Sequence, residues 1–252
     1  MIRAASGLLM NVCVLFGQIE APQAFEVASI KSSKLSGEGS RRERIEATPG
    51  SLIMANVRFA TAMRWAYRVQ DVQINGPGWI NDERFDIVAK AATPAPDSAL
   101  RLMLQSLLGD RFKLSLHRQT REMTAYVVVV AKEGHKLKES VTEGPPSYTP
   151  KGVMGAAAER ADMDELMAMA SQLLHTPIVN LTGLKGRYDF SLDFSEYLPE
   201  LAAKRESPMT PEDLIPIAAS AMQKQLGLKL ESRKTPVEIL VIDRVDRMPA
   251  EN

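Results

Sequence analysis

The chain has 252 residues, and its 31 Lys and Arg balance 31 Asp and Glu, so no global field draws it to nucleic acid or to an anionic membrane. Hydrophobic residues at 45% and charged ones at 25% are ordinary for a globular protein, and the length suffices for one large core or two smaller ones. Charge is uneven only locally, with residues 111–138 basic and 159–200 acidic.

Met1-Ile2-Arg3 followed by the apolar run from Ala4 to Phe16 is too short for the ~20 residues that a membrane span needs. It has the form of a secretory signal, residues 1–24, with Ala21 and Ala24 as small residues near the cleavage point. A periplasmic or secreted address is therefore expected, with no integral membrane segment after cleavage. Cys13, the only cysteine, lies inside this run, so the exported chain would hold neither a disulfide nor a thiol nucleophile.

Phe25-Glu26-Val27-Ala28-Ser29-Ile30 alternates as a half-buried strand does. Ser36 to Arg44 reads as an exposed loop, and Arg44 to Ala55 as a hairpin turned at Pro49-Gly50. Apolar residues then recur at i, i+3, i+4, i+7 and i+8 in four places, each set forming one stripe of a helix. The first is Phe59, Ala62, Met63, Ala66 and Tyr67, with Asn56 expected as its cap. The second is Leu100, Met103, Leu104, Leu107 and Leu108, opened by Asp97 or Ser98 and closed by Gly109. The third is Leu166, Met169, Ala170, Leu173 and Leu174, begun by an Asp162/Glu165 capping box. The fourth is Leu214, Ile217, Ala218, Ala221 and Met222, begun at Thr210-Pro211, with a kink or late start expected at Pro216.

Strand-like sequence follows each stripe. After the second, Phe112 to His117 and Tyr126 to Val130 read as a strand pair; after the fourth, Leu228 to Glu231 and Val237 to Ile242 do. Tyr188, Phe190, Leu192 and Phe194 share one strand face, with Asp189 and Asp193 on the other. The expected fold is α+β: repeated α-β-β units, mainly antiparallel sheets with helices packed on one face, in two similar halves. Residues 25–143 form the first half, 144–158 a Gly/Pro-rich linker and 159–252 the second half.

Several motifs carry a family resemblance. They are Asn75-Gly76-Pro77-Gly78-Trp79-Ile80, Leu107-Leu108-Gly109-Asp110-Arg111-Phe112 and His117-Arg118-Gln119-Thr120-Arg121-Glu122, with Thr182-Gly183-Leu184-Lys185-Gly186-Arg187 and Gly227-Leu228-Lys229-Leu230-Glu231 further on. In this order they resemble the large acidobacterial paralogous family of exported proteins that bear a domain of unknown function. Members of that family are sometimes fused to antibiotic-sensor-type membrane metallopeptidases. The resemblance implies no catalytic residue.

The residues themselves show no familiar catalytic constellation. His117, His135 and His175 have no ligand spacing between them, and no Gly-x-Ser-x-Gly elbow or phosphate loop is present. The chain is read as a cofactor-free, metal-free, non-catalytic module that binds an envelope protein or a small ligand. Its candidate contact residues are Trp79 on a tight turn, His117, Arg118 and Arg121 on a basic strand, and Lys185 and Arg187 beside two glycines. Two rival readings remain open. One is a periplasmic hydrolase whose cleft between the halves gathers His117 or His175 with a carboxylate and a hydroxyl. The other is a sensory module working with a membrane metallopeptidase.

Overall fold

The computed structural model describes residues 24–33, 42–144, 146–151, 155–197, 199 and 210–250. Most of the expected signal segment and of the two loops at 36–44 and 199–211 lies outside these residues. Within them the fold is α+β, with three four-stranded, mainly antiparallel sheets.

The first sheet has the order β1-β5-β3-β2, all antiparallel, from β1 (Val27–Ser32), β2 (Arg44–Thr48), β3 (Ser51–Arg58) and β5 (Arg84–Lys90). The expected hairpin is β2–β3. Its turn needs glycine at 50, where φ is +83° and a Cβ would stand 2.9 Å from the Thr93 carbonyl oxygen. Asn56 does not cap the first helix. It sits in a bulge of β3 at φ +56°, and its N–H donates to Asp86 Oδ1 at 2.7 Å.

Helix α1 (Phe59–Tyr67) starts from Arg58 and closes on Arg68 in the left-handed region. Helix α2 (Asp97–Phe112) is entered from Pro96 without a side-chain cap and runs past Gly109, so Lys113 takes the left-handed closing position. The extra turn carries Phe112, which is fully buried, into the core. There its ring meets Phe59 edge-on at 4.8 Å and Phe85 at 5.0 Å between centroids.

The central sheet has the order β10-β6-β12-β4, from β4 (Ile74–Asn75), β6 (Ser115–Val130), β10 (Ile178–Asn180) and β12 (Leu228–Arg244). Each strand pair expected after the second and fourth stripes is one long strand. β6 and β12 pair antiparallel from Leu228 opposite Val130 to Arg244 opposite Ser115. The polar stretches around Arg121-Glu122 and Ser232-Arg233-Lys234 are the solvated middle of this ribbon, because the backbone ladder does not require apolar side chains.

The third sheet has the order β7-β11-β9-β8, from β7 (Lys138–Glu139), β8 (Ser147–Pro150), β9 (Gly155–Ala161) and β11 (Tyr188–Asp193). The span expected to link two halves thus holds β8 and the start of β9. Helix α3 (Met163–Leu174) begins as expected, with Asp162 Oδ1 accepting from the Glu165 N–H at 2.7 Å. Helix α4 (Pro211–Ala221) opens on a Thr210/Asp213 capping box and continues through Pro216 into a π-helical turn, Met222–Leu226.

The long ribbon joins two cores. Leu240 is buried among Phe59, Phe85, Met63 and Leu108, while Leu228, Leu230 and Val128 are buried among Leu166, Met167, Ala221 and Met222. Phe112→Ala should lower stability by about 3–5 kcal/mol, the usual cost of emptying a buried aromatic site. Urea denaturation measures this, and a loss under about 1 kcal/mol would contradict the packing described.

Candidate functional site

The third sheet and the two C-terminal helices enclose an apolar cleft of about 400 Å³. Its floor follows from strand register. Tyr148 lies opposite Ala158, and Ala158 opposite Phe190, so a large, a small and a large side chain stand in one row on one face. The next row is Pro150, Ala156 and Leu192. The alanines of β9 recess the middle of the floor, and the tyrosine and phenylalanine raise its sides.

The wall comes from the third helical stripe. Leu166 and Leu174 are buried, but Met169 and Leu173 are each 38% exposed, and all four line the cleft with Ala218 and Met222 of the fourth stripe. This helix therefore has a wider apolar arc than its core contact uses. Among the described lining residues, Tyr148 alone carries a polar side-chain atom. Its Oη is shielded from solvent and lies beside the Glu165 carboxylate. Burial, reinforced by the nearby Glu165 and Asp162 carboxylates, pushes the phenol well above its ordinary range, so it stays protonated.

The six residues singled out from the sequence do not meet at this cleft. Trp79 lies half-buried on a short 3₁₀ turn, Gly78–Asn81, with its ring 5.3 Å from Phe59. His117, Arg118 and Arg121 are exposed near the start of β6. His117 Nδ1 is 2.8 Å from Asp243 Oδ1, and Arg118 pairs with Glu238. Lys185 and Arg187 are exposed between β10 and β11, and Arg187 donates to the Gly144 carbonyl at 2.8 Å. β10 runs beside Tyr126 to Val128, about ten residues along β6 from Arg118, roughly 30 Å at strand rise. The basic strand and the glycine turn are thus separate surfaces.

The remaining histidines are not among the described residues that line the cleft. His175 closes α3 in the left-handed region, and the His135 ring meets Tyr188 edge-on at 5.8 Å. Asp189 and Asp193 face away from the aromatic row and serve the backbone. The Arg160 and Ser195 N–H groups donate to them at 2.9 and 2.8 Å and hold both carboxyls below their ordinary range. Among the described residues no cluster of His, Cys, Asp and Glu is placed to hold a metal ion, and no helix is long and apolar enough to cross a membrane.

A second charged cluster ties the first sheet to α1. Glu43 accepts from the Arg58 N–H and Nε at 2.9 and 3.0 Å and from Thr61 Oγ1 at 2.8 Å, with Arg84 at 3.5 Å. Burial alone would raise the Glu43 pKa; the hydrogen bonds from Arg58 and Thr61 outweigh it and hold the carboxyl below its ordinary range.

From residue 60 to residue 245, from α1 through the last strand, the sequence matches the family described as protein of unknown function (DUF3738), and the chain belongs to that family. No curated protein and no solved structure gives a match.

Because the folded-state pKa of Glu43 is depressed, its contribution is present above the unfolded carboxyl range and is lost as pH falls through the folded value. Glu43→Gln should therefore lower stability near neutral pH and flatten the acid limb. Urea midpoints from about pH 7 down to about pH 3 test this, and parallel acid limbs for the two proteins would refute it.

Proposed function

We propose that this chain is an exported, non-catalytic binding module whose cleft takes an apolar ligand. The observation that carries the reading is the surplus apolar wall: Met169 and Leu173 stay partly exposed over a floor recessed by Ala156 and Ala158. A folded chain gains nothing from leaving large aliphatic side chains around an unfilled apolar space. At about 30 Å³ per non-hydrogen atom, the space suits roughly a dozen such atoms. Burying about ten methylenes, at about 0.8 kcal/mol each, less the cost of association, puts the expected affinity at micromolar or weaker. Export is supported by the signal-like residues 1–24. Neither His117 nor His175 is among the described residues that line the cleft.

The smaller neutral dye 1-naphthylamine should shift its emission to the blue on titration with the protein. Met169→Glu should weaken its binding at least about tenfold, since a carboxylate then enters the apolar wall, while Tm shifts by only a few degrees. Absence of dye binding, or binding indifferent to Met169→Glu, would remove the support for this reading.

A second reading rests on the edge of β6. Among the described residues, Ser115 to Thr124 pair only with β12, so the other edge is open to an added strand beside Arg118 and Arg121. If a protein partner docks there, Arg118→Ala with Arg121→Ala should reduce its crosslinking in the native envelope with Tm nearly unchanged. Undiminished crosslinking to the same partner would eliminate the basic strand as its contact.

A further inference from the structure

Resting on the open-edge reading of β6, we infer that the strand added there is β6 of a second copy of this chain. The two strands run antiparallel about a two-fold axis at Thr120. β10 covers β6 only from Tyr126 to Val128. Its ladder starts at Pro177, whose carbonyl accepts from the Tyr126 N–H but whose nitrogen has no proton to offer Thr124. Among the described residues nothing but β12 pairs with β6 from Leu116 to Thr124, and His117 to Glu122 are all exposed. Tyr126 turns its N–H toward β10, and Val128 its carbonyl. Main-chain groups alternate sides along a strand, so the even-numbered Leu116, Arg118, Thr120, Glu122 and Thr124 present theirs at the open edge. The midpoint of that run is Thr120.

Parity and charge select one register. Outward-pointing residues must oppose outward-pointing ones, so the axis falls on a residue and never between two. An axis at Arg118, Arg121 or Glu122 sets that charge against its own copy. An axis at Gln119 opposes His117 to Arg121 and leaves Glu122 facing Leu116. Only the axis at Thr120 sets Arg118 opposite Glu122 on both sides, with Gln119 opposite Arg121 and no like charges directly across. Arg118, Thr120 and Glu122 then exchange about six main-chain hydrogen bonds with Glu122, Thr120 and Arg118 of the second copy. Charges on an edge usually repel an added strand; this set rejects slipped registers and admits one. Arg118 already pairs with Glu238, and its guanidinium has further donors for a second carboxylate.

The test is sedimentation equilibrium of the full chain up to roughly 200 μM, a range suited to the weak association of a small interface. A reversible dimer is expected. Arg118→Glu alone, or Glu122→Arg alone, should weaken it at least about tenfold, because like charges then meet on both sides. The double exchange Arg118→Glu with Glu122→Arg should restore it to within about threefold of the original. Thr120→Pro removes an outward N–H that the β12 ladder does not use, so it should abolish the dimer while Tm shifts by only a few degrees. In a Cys13→Ser background, Thr120→Cys should form a disulfide between copies on mild oxidation and Thr124→Cys should not. Only residues on the axis lie within about 5.5 Å of their own copies. A monomer throughout this range, or a dimer indifferent to Thr120→Pro or not restored by the double exchange, overturns the inference. The open-edge reading then stands if Arg118→Ala with Arg121→Ala still reduces crosslinking of another protein, and falls with it if that crosslinking is undiminished.

Discussion

The pairing of β6 with β12 is the constraint on which the rest of the structure depends. These two strands lie about a hundred residues apart in the chain, and their ladder runs the full length of both. Leu228 and Leu230 at one end of β12 and Leu240 at the other enter the two cores, while the odd-numbered Thr235, Val237 and Ile239 are buried on the opposite face. A strand keeps its faces by strict alternation, so one face of the ribbon can reach two cores while its middle stays wet. Closing so long a loop costs entropy, which the ladder and both cores offset together. Neither core is complete without the last strand.

With the ribbon in place, the third sheet has a fixed position for its short strands, and the cleft follows from side-chain size. β9 presents Gly155, Ala156 and Ala158 where its neighbours present Tyr148, Phe190 and Leu192. Glycine at 155 is required by crowding: a Cβ there would stand 2.6 Å from the Lys151 carbonyl oxygen and 2.7 Å from that of Leu192. The same strand is therefore pressed close to its neighbours at one end and shallow along the rest. Over it lie helices whose apolar arcs exceed what the core covers. The cleft is what remains.

Much of the framework was legible in local pattern. The four stripes became helices because their period matches a helix turn, and the Asp162 and Thr210 starts were legible because capping chemistry is local. Asn56, Gly109 and the two long strands depart from their local pattern for one shared reason. A left-handed residue in a strand bulge resembles a cap, a glycine inside a helix resembles its end, and a charged stretch resembles a turn, unless the distant partner is known. The cleft had a signal too: Met169 and Leu173 broaden the apolar arc of α3 beyond Met163, Leu166, Met167 and Leu174. Nothing local distinguishes a wide core stripe from a lined wall.

By itself, then, the sequence determined the α+β class, the helix positions and most of their starts, because periodicity and capping act over a few residues. Tertiary structure alone decided that β6 and β12 form one ribbon through two cores. It also decided that small residues of β9 fall beneath the surplus of α3, with the Tyr148 ring at the edge of that space. Those facts depend on register and on approach between residues distant in the chain, and no short-range pattern encodes either.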